Sequence, residues 1–258
     1  MTDTTADVAK RVYVVGASRG IGAATACALA EDGYDLLLAS RNTDGALAAL
    51  GEELRARHPD RVIETMQVDT GDRAQVAALA ARLEEDEAAY GLLYNAGQSY
   101  DRLAATIEAE RIAELMEINA LAFMRLAAAA IRPMIRARTG RIIATGSVTA
   151  TGGVSGNAAY AATKGALIGY VRTLAVEIAR KGVTVNVMAP GFIETSLIEP
   201  YLAYRDQLER QIPAGRLGRP EEIADLIRFV ISPRASYITG AVLTIDGGLS
   251  AHLVSRRT

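Results

Sequence analysis

The sequence predicts an α/β fold, a doubly wound parallel sheet of about seven strands with helices on both faces. Short β-rich runs alternate with long alanine-rich amphipathic runs along the chain. Several of the short runs are almost continuously apolar, the pattern of strands covered on both faces. The first of them passes through a glycine-rich turn directly into a helix, as a dinucleotide-binding sheet begins.

Val12–Val15 is β-branched and aromatic throughout and reads as the first strand. Alanine-rich Gly20–Glu31 follows as a helix. Leu36–Ala39 is the second strand, and Asp44–Arg57 brings Leu47, Leu50 and Leu54 to one helical face. Val62–Val68 is the third strand and Asp72–Ala89 a helix, with Leu92–Tyr94 the fourth strand. Glu108–Arg138 has a helical pattern but is too long for one ordinary helix, so a break is expected near Asn119. Arg141–Thr145, Val183–Ala189 and Val242–Ile245 complete the strands, separated by helical Ala158–Lys181 and Pro220–Ile231. No repeat, linker or composition break divides residues 1–258, so one domain is expected, with 1–10 a flexible arm. Thr195–Pro213 interrupts the alternation, carrying Leu197, Ile198, Tyr201, Leu202, Tyr204 and Leu208 among charges. It reads as a substrate lid or as a helix packed permanently on the body.

Composition excludes several classes. The chain of 258 residues holds 28 Lys and Arg against 30 Asp and Glu, a net charge of −2, and is 50% hydrophobic. Such a chain is not disordered, and it lacks the basic excess of a general nucleic-acid binder. Cys27 is the one cysteine, which forbids an internal disulfide and points to a reducing compartment. Its apolar helical setting favours a small core residue over a nucleophile. His58 and His252 lie far apart in sequence and read as surface residues, so zinc chemistry and Ser-His hydrolysis have little support. No uninterrupted apolar run approaches the roughly 18 residues of a membrane span. The start, Met1–Asp7, is polar and acidic, unlike a signal peptide, and the expected location is the cytoplasm.

Two constellations carry chemistry. After the first strand comes Gly16-Ala17-Ser18-Arg19-Gly20-Ile21-Gly22. Its glycines permit a tight turn, close approach to a phosphate and close helix packing, and the helix start offers free N–H groups to a pyrophosphate. The second strand ends Ala39-Ser40-Arg41-Asn42, without the acid that would bind a ribose 2′-hydroxyl. Arg19 and Arg41 suit a 2′-phosphate instead, so the expected cofactor is NADPH (NADP+). Tyr160 and Lys164, four apart on a helix, share a face, where an ammonium would lower the phenol's pKa. Ser147 lies thirteen residues before Tyr160, just beyond a strand's carboxyl end, where open α/β sheets place ligands.

The glycine loop, the Ser147 spacing and the Tyr160/Lys164 pair together resemble the short-chain dehydrogenase/reductase family, from about Arg11 to Leu249. Asn95-Ala96-Gly97, Asn119 and Pro190-Gly191 strengthen the resemblance. It implies a Rossmann-type fold and a set of roles. Tyr160 would be the general acid, Lys164 would lower its pKa and hold the nicotinamide ribose, and Ser147 would orient the carbonyl. Asn119 would kink its helix and help hold a water that relays protons to Lys164. Gly16, Ser18, Arg19, Gly20, Ile21, Gly22 and Arg41 would form the phosphate side. Asp69 would lie by the adenine, with Asn95, Ala96 and Gly97 supporting the site. Pro190, Gly191, Ile193 and Thr195 would meet the nicotinamide end. Two positions depart from the family's pattern: Val15 stands for a threonine and Tyr94 for the first asparagine of Asn-Asn-Ala-Gly. Packing is expected to replace the polar link that those residues make.

The C-terminal half is most similar to family members that reduce 3-oxoacyl groups on an acyl carrier protein. It carries Asn186–Thr195, Ile212–Gly218 and Tyr237–Gly240 through Asp246-Gly247-Gly248. The implied reaction takes a β-ketoacyl thioester to its (3R)-hydroxyl product. Gly152, Gly153, Val154 and Gly156 are small and leave room for a chain, and Tyr100 is expected in the same pocket. Arg132, Arg136, Arg138 and Arg141 gather where the long helix ends. They either steer an acidic carrier or only complement the helix dipole. Arg138 and Lys181 match carrier-docking positions of the resembled reductases. The resemblance further implies a homotetramer; the small-residue face Ala158, Ala161, Ala162, Gly165 and Gly169 either permits the close helix packing that this needs or is core. No metal, nucleic acid or membrane is expected. The competing readings are a dehydrogenase of a small alcohol, sugar or steroid, and a non-catalytic NADP(H)-binding regulator on the same fold.

Overall fold

The computed structural model describes residues 10–41 and 45–251. The expectations for Met1–Asp7, for Asn42 and Asp44 and for His252 and the tail lie outside the described residues.

Seven strands form one parallel sheet: β1 (Arg11–Val15), β2 (Asp35–Ser40), β3 (Ile63–Gln67), β4 (Ala89–Tyr94), β5 (Gly140–Thr145), β6 (Val183–Pro190) and β7 (Val242–Ile245). Their spatial order is β3-β2-β1-β4-β5-β6-β7. The crossovers carry α1 (Gly20–Glu31), α2 (Ala46–Arg57), α3 (Arg73–Glu85), α4 (Ala109–Met116), α5 (Ala122–Ala137), α6 (Ala158–Ile178), α7 (Arg205–Gln211) and α8 (Pro220–Ile231). Alternate residues of each strand feed opposite cores. Val12, Val14, Leu36 and Leu38 pack under α1, α2 and α8 with Leu29, Leu54 and Ile227. Tyr13, Val15, Leu37 and Leu92 pack under α3, α5 and α6 with Leu79, Phe123 and Leu167. This double burial makes the central strands apolar runs, while edge strand β3 buries only Ile63 and leaves its other residues half-buried or exposed.

Two expected boundaries change. The helix expected over Asp72–Ala89 ends at Glu85, and β4 already begins at Ala89. Asp86 leaves the helix because its carboxylate is held by Tyr13 Oη at 2.7 Å and Arg11 Nη1 at 3.0 Å. The long helix expected to break near Asn119 loses its regular α geometry there: α4 gives way to a π turn, Glu117–Leu121, before α5 resumes, while the chain stays helical throughout. The continuous helix Ala109–Ala137 is long and apolar enough to cross a membrane, yet most of its apolar window is buried inside the fold. Cys27 is half-buried against the α1/α8 core, and burial raises its thiol pKa. His58, expected at the surface, is half-buried after α2, and its Nε2 has no partner among the described residues.

Candidate active site

Strand order reverses between β1 and β4, so the crossovers leave to opposite faces there and open a crevice at the carboxyl edge. A cleft of about 480 Å³ occupies it. Its floor begins with the glycine loop. Gly16 has φ +88°, and a Cβ there would stand 2.6 Å from the Ala96 nitrogen. A Cβ on Gly22 would meet the Gly16 carbonyl at 2.0 Å, so that glycine seats α1 against the turn rather than facing the cleft. Asn95 ties the loop down. Its Nδ2 donates to the Gly16 carbonyl at 3.2 Å, its Oδ1 accepts from Thr145 Oγ1 at 3.1 Å, and its N–H bonds Val15 O at 2.8 Å. With Val15 and Tyr94 both buried, backbone and Asn95 bonds join this loop to the β4 end.

The cleft wall carries Ser18, Arg19, Gly20, Ile21, Arg41, Asp69, Ala96, Gly97, Tyr160, Lys164 and Thr195. Arg19 caps α1 in extended geometry and Arg41 follows β2, where Ser40 stands in place of an acid. Both guanidiniums are exposed, and among the described residues neither joins an ion pair. An open α1 start, a glycine cradle and two available guanidiniums fit a phosphorylated dinucleotide.

At the inner end stand the reacting groups. Ser147 begins a short 3-10 turn beyond β5. Its Oγ accepts from the Thr149 N–H at 3.2 Å and Thr149 Oγ1 at 2.9 Å, which leaves its own proton to be aimed elsewhere. Ser147 also stands close enough to Tyr160 to favour its ionised form. Lys164 is buried, with Nζ 5.6 Å from the Tyr160 ring centre and donating to the Thr145 carbonyl at 2.7 Å. The expected lowering of the phenol's pKa is not found. Burial pushes Tyr160 up to about 12, opposed by Ser147 and reinforced by Asp101. Burial also lowers Lys164 to about 8, and its proton points at a carbonyl rather than at the phenol. Tyr160 is therefore protonated at neutral pH, as a proton donor must be. Asn119 lies in the π turn. Its Oδ1 accepts from Gln98 N at 2.8 Å, and its Nδ2 donates to Gln98 O at 2.8 Å and Thr163 Oγ1 at 3.1 Å.

Other expected residues stand apart. Pro190 is buried at the end of β6, Gly191 packs on Asp246, and Ile193 lines a smaller neighbouring cavity. Tyr100 lies in the loop beyond Gln98, its ring 5.3 Å from the Arg111 guanidinium carbon, and Gly153 is exposed beyond Ser147. That loop meets the start of α6 through Asn157 Nδ2 to Asp101 at 2.7 Å. The four arginines expected as one patch are not one. Arg141 is buried with Nη1 on the Gly140 carbonyl at 2.8 Å, because it lies inside the sheet rather than before it. Arg132 pairs with Glu84, and Arg136 donates to the Glu84 carbonyl at 3.2 Å. Arg138 and Lys181 precede β5 and β6, at the sheet's amino edge, across the molecule from Tyr160. From Thr195–Pro213, Ser196, Leu197 and Glu199 line the cleft, while Ile198 and Ile212 join Leu217 in a small core of their own. Thr149, Thr163 and Gln98 were not anticipated. Only Thr149 had a local signal, the Ser-x-Thr spacing that makes a hydroxyl turn. Among the described residues no three His, Cys, Asp or Glu gather as a metal-ligand group.

Residues 16–250 match a family profile described as enoyl-(acyl carrier protein) reductase. The chain is 39% identical over 252 residues to the 3-oxoacyl-[acyl-carrier-protein] reductase FabG of Vibrio cholerae, covering 93% of this chain and 97% of that one. A Beutenbergia cavernae protein assigned as an NAD(P)-dependent gluconate 5-dehydrogenase, solved with NADP, superposes with a TM-score of 0.89. It shares 31% identity over 94% of this chain and 97% of its own. Actinorhodin polyketide ketoreductase with NADPH gives a TM-score of 0.86 at 26% identity, covering 95% and 98%.

Proposed function

The chain belongs to the short-chain dehydrogenase/reductase family, and we propose that it is an NADPH-dependent reductase of β-ketoacyl thioesters in fatty-acid or polyketide-type biosynthesis. The observation that carries this reading is the inner end of the cleft. A protonated, buried Tyr160 beside Ser147 faces a space bounded by Lys164 and the glycine-loop wall.

The glycine loop, Arg19 and Arg41 would hold NADPH at one end and Lys164 at the other, and the bound cofactor would supply the hydride. Ser147, its lone pairs engaged by Thr149, donates to the substrate ketone oxygen and orients it. Tyr160 gives its proton to that oxygen as charge develops there, so both hydroxyls favour the alkoxide over the ketone. Lys164 stabilises the phenolate left behind, and Asn119 supports the path by which a proton returns. Tyr100 and Gly153 flank the acyl chain, and 195–213 closes over it.

The acidic acyl carrier protein is the proposed source of substrate, with Arg138 and Lys181 as its contact. In one chain those residues lie at the wrong edge, so this docking depends on assembly. Helix α6 leaves Ala158, Ala162 and Gly169 exposed in a row, with Val176 83% exposed. Antiparallel packing of α6 on its copy about a twofold axis near Gly169 carries one chain's Arg138 and Lys181 to the other chain's cleft. The proposal extends to a homotetramer built on such dimers, cytoplasmic, with each chain a single domain. Dehydrogenation of a small alcohol, sugar or steroid is the second reading, its sugar form favoured by the likeness to the gluconate 5-dehydrogenase.

The test compares a carrier-bound acetoacetyl thioester with its short free mimic. Arg138→Glu with Lys181→Glu is expected to raise KM for the carrier-bound substrate about tenfold or more and leave the mimic within twofold. Equal effects on both would contradict carrier docking, and no turnover of either by the parent enzyme would contradict the thioester reading.

A further inference from the structure

Tyr94 departs from the family's asparagine, and none of the roles above uses it. It ends β4, is fully buried, and packs its ring on Phe123 of α5 with centroids 5.6 Å apart. Its hydroxyl donates to the backbone carbonyl of Ile118. That carbonyl belongs to the π turn Glu117–Leu121, one residue before Asn119. A π turn disrupts the regular helical ladder, and its buried carbonyls need partners. The Thr70 side chain lies close enough to the Tyr94 hydroxyl to oppose the effect of burial on it. Thr70 and Ile118 both line the cleft. Three groups thus run beneath the cleft floor, from the loop after β3 to the residue beside Asn119. Burial holds the Tyr94 phenol well above its ordinary pKa, so it stays a donor across the working range.

We propose that Tyr94 is a positioning residue whose hydroxyl pins the π turn, and through it Asn119, against the cleft. Gln98 and Thr163 fix the Asn119 side chain; Tyr94 fixes the backbone that carries it. The inference rests on Asn119 belonging to the proton path.

Tyr94→Phe keeps the ring packing and removes only the donor, and Thr70→Val removes the group behind it. Each is made alone and with Asn119→Ala, and kcat and KM are measured for NADPH-dependent reduction of an acetoacetyl thioester. Tyr94→Phe is expected to lower kcat about tenfold with KM within twofold, and Thr70→Val to lower it less. Neither is expected to lower kcat further once Asn119 is alanine, because the lost hydroxyl acts through that residue. Equal losses in both backgrounds would overturn the inference, as would an unchanged kcat in Tyr94→Phe. If Tyr94→Phe does not fold, the Thr70→Val cycle decides by the same criterion. Full activity in Asn119→Ala alone would instead overturn the proton-path reading, and the inference with it.

Discussion

Lys164 shows most clearly what the active site costs the fold. Its ammonium is buried beside a carbonyl, without a carboxylate partner among the described residues, and its pKa falls from 10.5 to about 8. The unfolded chain keeps that proton up to pH 10.5, while the folded chain releases it near 8. Below pH 8 the folded state therefore bears the full penalty, and stability from this residue rises with pH between those values. The difference corresponds to about 3 kcal/mol, and the bond to Thr145 offsets about 1. Lys164→Met is expected to abolish turnover yet unfold in urea with about 2 kcal/mol more stability at pH 7. That gain should shrink towards pH 10; a gain independent of pH would show that the charge is not its source. Tyr160 explains why residue spacing misled. Four residues place two side chains on one face, but burial raised the phenol to about 12 while the Lys164 ammonium turned to the Thr145 carbonyl.

Among the elements, the glycine loop and the π turn mark the limits of what sequence discloses. The loop was legible because its backbone demands specific residues. Gly16→Ala combines positive φ with a contact on the Ala96 nitrogen. It is expected to weaken NADPH binding at least about tenfold in a fluorescence titration, through strain at the turn. Unchanged affinity would mean that the loop shifts freely. An irregularity near Asn119 was legible from the length of its helix, but its π form was not. Glu117–Leu121 has ordinary helical residues, and what selects the extra residue is tertiary: the Tyr94 hydroxyl below and the Gln98 loop beside Asn119. The end of α3 was misplaced for a similar reason. Glu85-Asp86-Glu87 reads as helix locally, and only Arg11 and Tyr13 of a distant strand draw Asp86 away.

Across the whole molecule, strand order converts chain positions into sides. Strand pattern alone gave seven strands, and the reversal between β1 and β4 follows from the glycine unit's place at the start. Side was harder to read: Arg138, Arg141 and Ser147 are close in sequence, yet they fall at the sheet's amino edge, inside it and beyond its carboxyl edge. A carrier contact at Arg138 thus requires a second copy. Light scattering is expected to give the mass of four chains, and Gly169→Glu to reduce it by placing a charge at the helix contact; a monomer mass for the parent would contradict the assembly. The most direct test is oxidation of NADPH and of NADH, measured separately with an acetoacetyl thioester and with Tyr160→Phe as control. Turnover with NADPH, strongly preferred over NADH and reduced at least about a hundredfold in the control, is the predicted result. Turnover that survives in Tyr160→Phe, or that prefers NADH, would contradict the roles given to Tyr160 and to Arg19 with Arg41.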